Sequence, residues 1–238
     1  MLKVLCRALA LLLLATPAFA KDGVIVFGGT GRLGSDIVKL LVQAGEDVTV
    51  FTRKDDNRDR LTGLKVRYAI GDVLDEASIG KAFSSHKFRV AIDASAQRGE
   101  VKAPDFYERV ARAIVTHGKR TGVNQIILHG SIGAGENIKI VPALASYKQT
   151  PALVDKGKAE KLIADGGVPY TIIRNGVIPN NEPLPPATHK AGLTVDETTF
   201  SAVTRADLAI LTLDVMDNPA RLNRIYHAID ATLAMPKE

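Results

Sequence analysis

The chain has 238 residues, 46% of them hydrophobic and 24% charged, with five Tyr, seven Phe, no Trp and one Cys. That balance excludes a disordered, collagen-like or disulfide-stapled chain. The formal net charge of +5 falls to +3 once the basic first twenty residues are set aside, too small and too interspersed for a nucleic-acid footprint.

Residues 1–20 carry Lys3, Arg7 and no acid, then the apolar run Ala8–Ala15, then small residues at Ala18 and Ala20. A basic start, a short apolar core and small residues before the end are the pattern of a signal peptide, with cleavage expected after Ala20. The stretch Ala8–Ala20 is thirteen residues, whereas a membrane span needs roughly 20. The sequence therefore predicts an exported chain, periplasmic or secreted, with no stable membrane span after cleavage; an uncleaved anchor that includes Val4 and Leu5 is the other reading. No twin-Arg pair precedes the apolar core, so export of an unfolded chain is expected. Cys6 leaves with the signal, which removes disulfides, Cys-ligated metals and Cys nucleophiles from consideration.

Residues 21–238 alternate strand and helix patterns, the signature of one α/β domain with a parallel sheet. A strand at Val24–Phe27 enters a glycine-rich turn, and a helix follows over about 32–44, with Leu33, Ile37, Leu40, Leu41 and Ala44 at helical spacing. Strands are expected at 48–51, 64–70, 90–94, 125–128 and 170–173, and helices at 75–83, 104–120 and 151–164. Pro179, Pro183, Pro185 and Pro186 make 179–190 a loop, because proline breaks both ladder types. A helix at 204–216 and a strand at 222–229 close the chain. The expected architecture is a Rossmann-type doubly wound parallel sheet, a single domain in which the loop-rich 177–200 forms a small C-terminal cap on the substrate side.

The turn Gly28-Gly29-Thr30-Gly31-Arg32-Leu33-Gly34 satisfies both GxGxxG and GxxGxxG, between a strand and a helix. Glycine lets the backbone turn sharply and approach a pyrophosphate, and the helix N-terminus adds unpaired N–H groups and partial positive charge. The expected cofactor contacts are Gly28, Thr30, Gly31, Arg32, Leu33 and Gly34; a turn that only packs helix on sheet is the alternative. Roughly 20 residues past such a turn, an acid serves the ribose of NAD and an Arg serves the 2′-phosphate of NADP. Here the second strand ends in Thr52-Arg53-Lys54, and Asp55 and Asp56 come only after the basic pair. Arg53 is the expected phosphate clamp, with Lys54 or Arg58 assisting, so NADP(H) is favoured over NAD(H).

With VIVFGGTGRLG at 24–34, Thr52-Arg53, Gly71-Asp72-Val73-Leu74-Asp75, Lys156-Gly157-Lys158-Ala159-Glu160 and Thr171-Ile172-Ile173-Arg174 in this order, the chain resembles the atypical short-chain dehydrogenase/reductases, in their NmrA-like NAD(P)H-binding branch. The resemblance spans about 23–230. It implies that Asp72 and Val73 lie beside the adenine, that Ala94, Ser95 and Ala96 line the ribose, and that Asn175 and Gly176 sit near the nicotinamide. Tyr-dependent members of the wider superfamily use a Ser, a Tyr and a Lys four residues after it, the Lys lowering the phenol pKa and the Tyr giving a proton to a carbonyl. Ser131 stands where the serine belongs and Lys156 where the lysine belongs, but four residues before Lys156 is Ala152. Lys158, about 200° around the helix from Lys156, is preceded four residues earlier by Val154. Tyr147, in the loop before this helix, is a possible substitute phenol.

The five His residues have no metal-ligand spacing, so no metal is expected. His117 reads as a core residue, His129 as a possible substrate contact, and Asp207 as an anchor of the last long helix. HGSIG is not a GxSxG nucleophile elbow, because His129 takes the first glycine position. The resemblance implies an NADP(H)-dependent oxidoreductase passing hydride to a small carbonyl or quinone-like substrate, with Ser131 and Lys156 as catalytic candidates. A dinucleotide-binding regulatory or assembly protein without turnover is the rival reading. Nucleotide-sugar epimerisation ranks last, since it leans on the same missing Tyr.

Overall fold

A computed structural model describes residues 21–54, 56, 58–97 and 103–235; the leader expected at 1–20, with Cys6, lies outside the described residues. In chain order the elements are β1 (Gly23–Phe27), α1 (Arg32–Gln43), β2 (Val48–Thr52), β3 (Arg67–Ile70), α2 (Glu76–Ser85), β4 (Phe88–Asp93) and α3 (Phe106–Thr121). They continue as β5 (Gln125–Ser131), α4 (Pro151–Asp165), β6 (Tyr170–Asn175), β7 (Gly192–Thr194), α5 (Arg205–Val215) and β8 (Arg224–Ile229). One sheet runs β3-β2-β1-β4-β5-β6-β8-β7, parallel throughout except for β7, which pairs antiparallel with β8. This is the expected doubly wound Rossmann-type order, and it reverses between β1 and β4, where such sheets open a crevice at their C-terminal strand ends.

The strands alternate between two buried faces. Ile25 and Phe27 pack with α2, α3 and α4 through Phe83, Ile114 and Ile163, while Val24 and Val26 pack with α1 and α5 through Ile37, Leu41 and Leu208. The starts of α2, α4 and α5 are capped by the residue that precedes each. Asp75 accepts from the Ala77 N–H at the head of α2, and Thr150 and Thr204 do the same for α4 and α5. The head of α3 is capped from another helix: the Asp155 carboxylate accepts the Tyr107 and Glu108 N–H groups at 2.8 and 3.2 Å. Among the described residues, no helix is long and apolar enough to cross a membrane.

Two elements differ from expectation. The strand expected at 64–70 begins only at Arg67, because Leu64 and Val66 pack into the α1 side of the core from an unladdered loop, and its alternating Tyr68 and Ile70 face solvent on an edge strand. The three-residue β7 was not expected; so short an edge strand leaves no periodicity to read.

Candidate functional site

The glycine turn is held by the Gly31 N–H donating to Gly28 O at 2.9 Å. Gly28 has φ +75°, and a Cβ there would stand 2.6 Å from Ala94 O; a Cβ on Gly34 would stand 2.2 Å from Gly28 O. Glycine is thus required twice, once for conformation and once so that α1 can press against the turn. α1 starts at Gly31 without a side-chain cap, which leaves its first N–H groups available to an anion. Over this turn opens a cavity of about 760 Å³, within the size range of small-molecule and cofactor sites. A glycine cradle, an uncapped helix start and a cavity of this size fit a dinucleotide.

Gly28, Thr30, Gly31, Arg32 and Leu33 line the cavity from the turn, Arg53 from beyond β2, Asp72 and Val73 from beyond β3, and Ala94 and Ser95 from beyond β4. Lys156 reaches it from α4 and Asn175 from the end of β6. Gly34 lies behind the turn in a packing role. Ser131 borders a second, smaller cavity of about 250 Å³ whose walls are mostly apolar, among them Ile132, Leu144, Leu153 and Phe200. Asn175 lines both cavities, so the two adjoin at this residue.

At the end of β2 the sequence reading needs correction. Asp56 folds back onto the strand end: it accepts the Thr52 hydroxyl at 2.9 Å, and Arg53 Nη2 and Nε at 2.8 and 3.2 Å. Burial raises its carboxyl pKa, but the Arg53 and Thr52 hydrogen bonds outweigh that and hold it below the usual carboxylate range. A carboxylate therefore does stand at the strand end, side by side with Arg53. Arg58 stacks on Tyr68 at 4.5 Å, and Arg60 rather than Arg58 or Lys54 borders the cavity.

Lys156 lies over the Tyr107 ring at 4.8 Å and looks into the cavity. Burial pushes its ammonium below the ordinary lysine value, while Glu160 and Asp93 partly counter that. Asp93, fully enclosed, accepts the Ser95 N–H at 2.9 Å and is pushed up by burial. Lys158 projects from another side of α4 and pairs with Asp105 and Glu108 at 2.9 and 3.2 Å, as its helical position predicts. Ala152 is exposed, and Tyr147, 58% exposed, borders the second cavity with Ser131. Tyr107 is the phenol beneath Lys156, but burial raises its pKa and it meets the Gln97 backbone.

His129 is buried between Asn175 Oδ1 (3.1 Å) and Thr212 Oγ1 (2.9 Å), and burial lowers its pKa to about 4, so the ring is neutral. It borders the first cavity and buttresses Asn175, a role the sequence did not signal because both contacts are long-range. His117 packs its ring against Gly80 of α2 with its side chain 15% exposed, at the edge of the core, and its Nδ1 lies 3.1 Å from Arg120 Nη2. Asp207 is an anchor as expected: it accepts from Thr204 Oγ1 and from the Thr188 and His189 N–H groups, tying the loop after β6 to α5. That loop supplies Ile178 and Asn180 to the first cavity and Val177 to the second, to which the loop after β7 adds Phe200. Asn180, Arg60 and Arg205 are cavity residues that no motif spacing marks.

A family model described as NAD(P)H-binding matches residues 28–219. An uncharacterized chloroplast protein of Arabidopsis thaliana is 31% identical over 173 residues, covering 64% of this chain and 52% of that protein. The chain thus spans about half the length of that relative. An NAD(P)H azoreductase of Xenophilus azovorans is 21% identical over 210 residues, 85% of this chain and 66% of that protein. Among solved structures, ChuY, described as an anaerobillin reductase from Escherichia coli O157:H7, matches with a TM-score of 0.75 at 22% identity, covering 90% of this chain and all of that one.

Proposed function

Because the chain belongs to the NAD(P)H-binding family, we propose that it is an NADP(H)-dependent oxidoreductase of the atypical short-chain dehydrogenase/reductase type, for a small conjugated acceptor such as a quinone, enone or azo compound. The observation that carries this reading is the meeting of two cavities at Asn175: a dinucleotide cradle on one side and an apolar recess with Ser131 on the other. When bound, the dinucleotide supplies a hydride at its nicotinamide ring. Lys156 holds the adjoining ribose hydroxyls, and the Ser131 hydroxyl donates to the acceptor oxygen where there is one. Asn175, fixed by His129, orients the group at the seam.

The acceptor class follows from proton demand. A simple ketone needs a proton on its oxygen as the hydride arrives, which is the work of a positioned acid. The position four residues before Lys156 is an exposed alanine, Ala152. A quinone, enone or azo acceptor spreads the incoming charge over a conjugated system and can take its proton from water. The reductase and azoreductase descriptions of the relatives point the same way. Arg53 and Arg60 at the adenosine end support NADP(H) as the preferred form. The signal-like residues 1–20 support export, which fractionation of tagged full-length protein tests.

Ala152 also favours the second reading, a protein that binds the dinucleotide without turning it over. Titration of the purified protein with NADPH and NADH, followed by tyrosine fluorescence, tests both; binding of neither overturns them together. Oxidation of bound NADPH by a quinone, enone and azo panel, slowed about a hundredfold by Lys156→Ala, is the result expected of the enzyme. Binding without oxidation by any member establishes the rival.

A further inference from the structure

We propose that Arg205, the first residue of α5, joins Arg32 of the glycine turn in a two-arginine clamp on the diphosphate of the dinucleotide. The proposal rests on the cofactor reading above. Both guanidiniums converge on one oxygen: Asn180 Oδ1 accepts from Arg32 Nη1 and from Arg205 Nη2, the latter at 2.9 Å. Arg205 is fixed further by donating to Pro179 O, and Arg32 Nη2 lies 3.2 Å from Glu182 Oε1. Arg32, Asn180 and Arg205 all border the cavity that opens over the phosphate-binding turn.

Two like charges meeting at a neutral amide repel each other, because the amide holds them without cancelling either. Glu182 pairs with Arg32 and also attracts Arg205, but its side chain is 63% exposed, where screening leaves little. Asp36 also faces Arg205 but is paired with Lys39 at 3.2 Å. Burial and the charge of Arg32 together lower the Arg205 pKa, as expected of cations gathered around an anion site. Guanidinium forks match phosphate oxygens two at a time, and the uncapped start of α1 adds its partial charge beside them. Neither arginine borders the second cavity, which assigns the clamp to the cofactor rather than to the acceptor. The cofactor charge is then met from both ends of the chain: the turn after β1, and the head of α5 with the strap Pro179–Glu182 attached to it.

The test compares dissociation constants of wild-type and Arg205→Ala protein for NADPH, NADH, ADP-ribose and adenosine 2′-phosphate, the last lacking a diphosphate. Arg205→Ala is expected to weaken the first three alike, by about tenfold, to leave adenosine 2′-phosphate unchanged, and to flatten the salt dependence of binding. Arg205→Lys recovers part of the loss, since it keeps the charge without the fork. Arg205→Gln keeps a donor toward Asn180 and replaces the alanine variant if that one fails to fold. Unchanged ADP-ribose affinity in a folded Arg205 variant overturns the clamp and leaves the cofactor reading standing. A loss confined to NADPH also overturns it, because that pattern marks a 2′-phosphate contact. Wild-type protein that binds no dinucleotide removes the cofactor reading, and the clamp with it.

Discussion

The two cavities that meet at Asn175 are built in opposite ways. The larger one is bounded by parallel strand ends and by one contiguous turn whose chemistry is mostly backbone: glycines, an uncapped helix start and a peptide carbonyl in close contact. The smaller one is assembled from pieces far apart, with Ser131 and Asn175 facing each other across β5 and β6, Leu144 in a short 3-10 turn, and Phe200 from the loop after β7. A site made of backbone tolerates little change, since each atom is also part of the sheet or the helix start. A site made of peripheral side chains can be refitted while the sheet stays as it is. On the proposed function, cofactor chemistry is therefore tied to the fold, and acceptor choice to the segments hung on it.

The most damaging change on the cofactor side is the smallest side chain. In Gly34→Ala the new Cβ meets the backbone oxygen of Gly28 at 2.2 Å, and neither can yield without parting α1 from the turn. The expected result is loss of dinucleotide affinity by about a hundredfold or more, with a lowered melting temperature. An affinity within threefold of wild type would break the contrast, because it would mean that the turn does not set the site.

His129 joins the two regions, and its ionisation measures how firmly. The unfolded imidazole protonates below its ordinary value of 6.5, whereas burial lowers the folded pKa to about 4. Between these values the unfolded state binds the extra proton, so stability falls as pH drops from 6.5 toward 4 and is unaffected by this group above 6.5. The loss is about 3 kcal/mol at most. Denaturant melts of wild type and His129→Gln across that range should diverge by this amount; parallel curves would show that the ring is not held neutral at the seam.

Legibility in the sequence divides along the same line. The glycine turn could be read because its neighbours in sequence are its neighbours in space. The direction of Lys156 could be read because one helical face dictates it: Lys156 turns inward while Lys158 pairs with Asp105 on the surface. Asp72 and Ser95 line the larger cavity, but only the family resemblance pointed to them. Asp207 was readable from local sequence, as a helix-start residue. Arg205, Asn180 and the Asn175–His129–Thr212 chain were not, because each depends on a contact across at least 25 positions. Asp56 misled from close by: linear spacing put it past the basic pair, and the chain folded it back onto Thr52.

On the acceptor side, Ser131→Ala is expected to lower kcat/KM for a quinone about tenfold, the scale of one hydrogen bond to a developing charge. Its dinucleotide affinity should stay as in wild type, because Ser131 borders only the smaller cavity. Steady-state kinetics beside a binding titration check both halves. A change in NADPH affinity equal to the loss in kcat/KM would merge the two regions that the geometry separates.

The smallest expected effect concerns which dinucleotide is held, and it turns on Asp56. Its carboxylate accepts from the Nε–Nη2 edge of Arg53, one of the two edges by which a guanidinium can fork onto a phosphate, and its own charge repels a 2′-phosphate. The same carboxylate can accept ribose hydroxyls when no 2′-phosphate is present. Asp56→Asn removes the repulsion while keeping an acceptor for the Thr52 hydroxyl. Arg53 is exposed, so water and salt screen most of the gain, and a change of about threefold toward NADPH is expected. Arg53→Ala should move preference the other way, leaving Asp56 to serve the ribose alone. Parallel NADPH and NADH titrations at two ionic strengths decide the matter: if Asp56→Asn weakens both dinucleotides equally, the carboxylate only braces the strand end, and cofactor preference lies with Arg60.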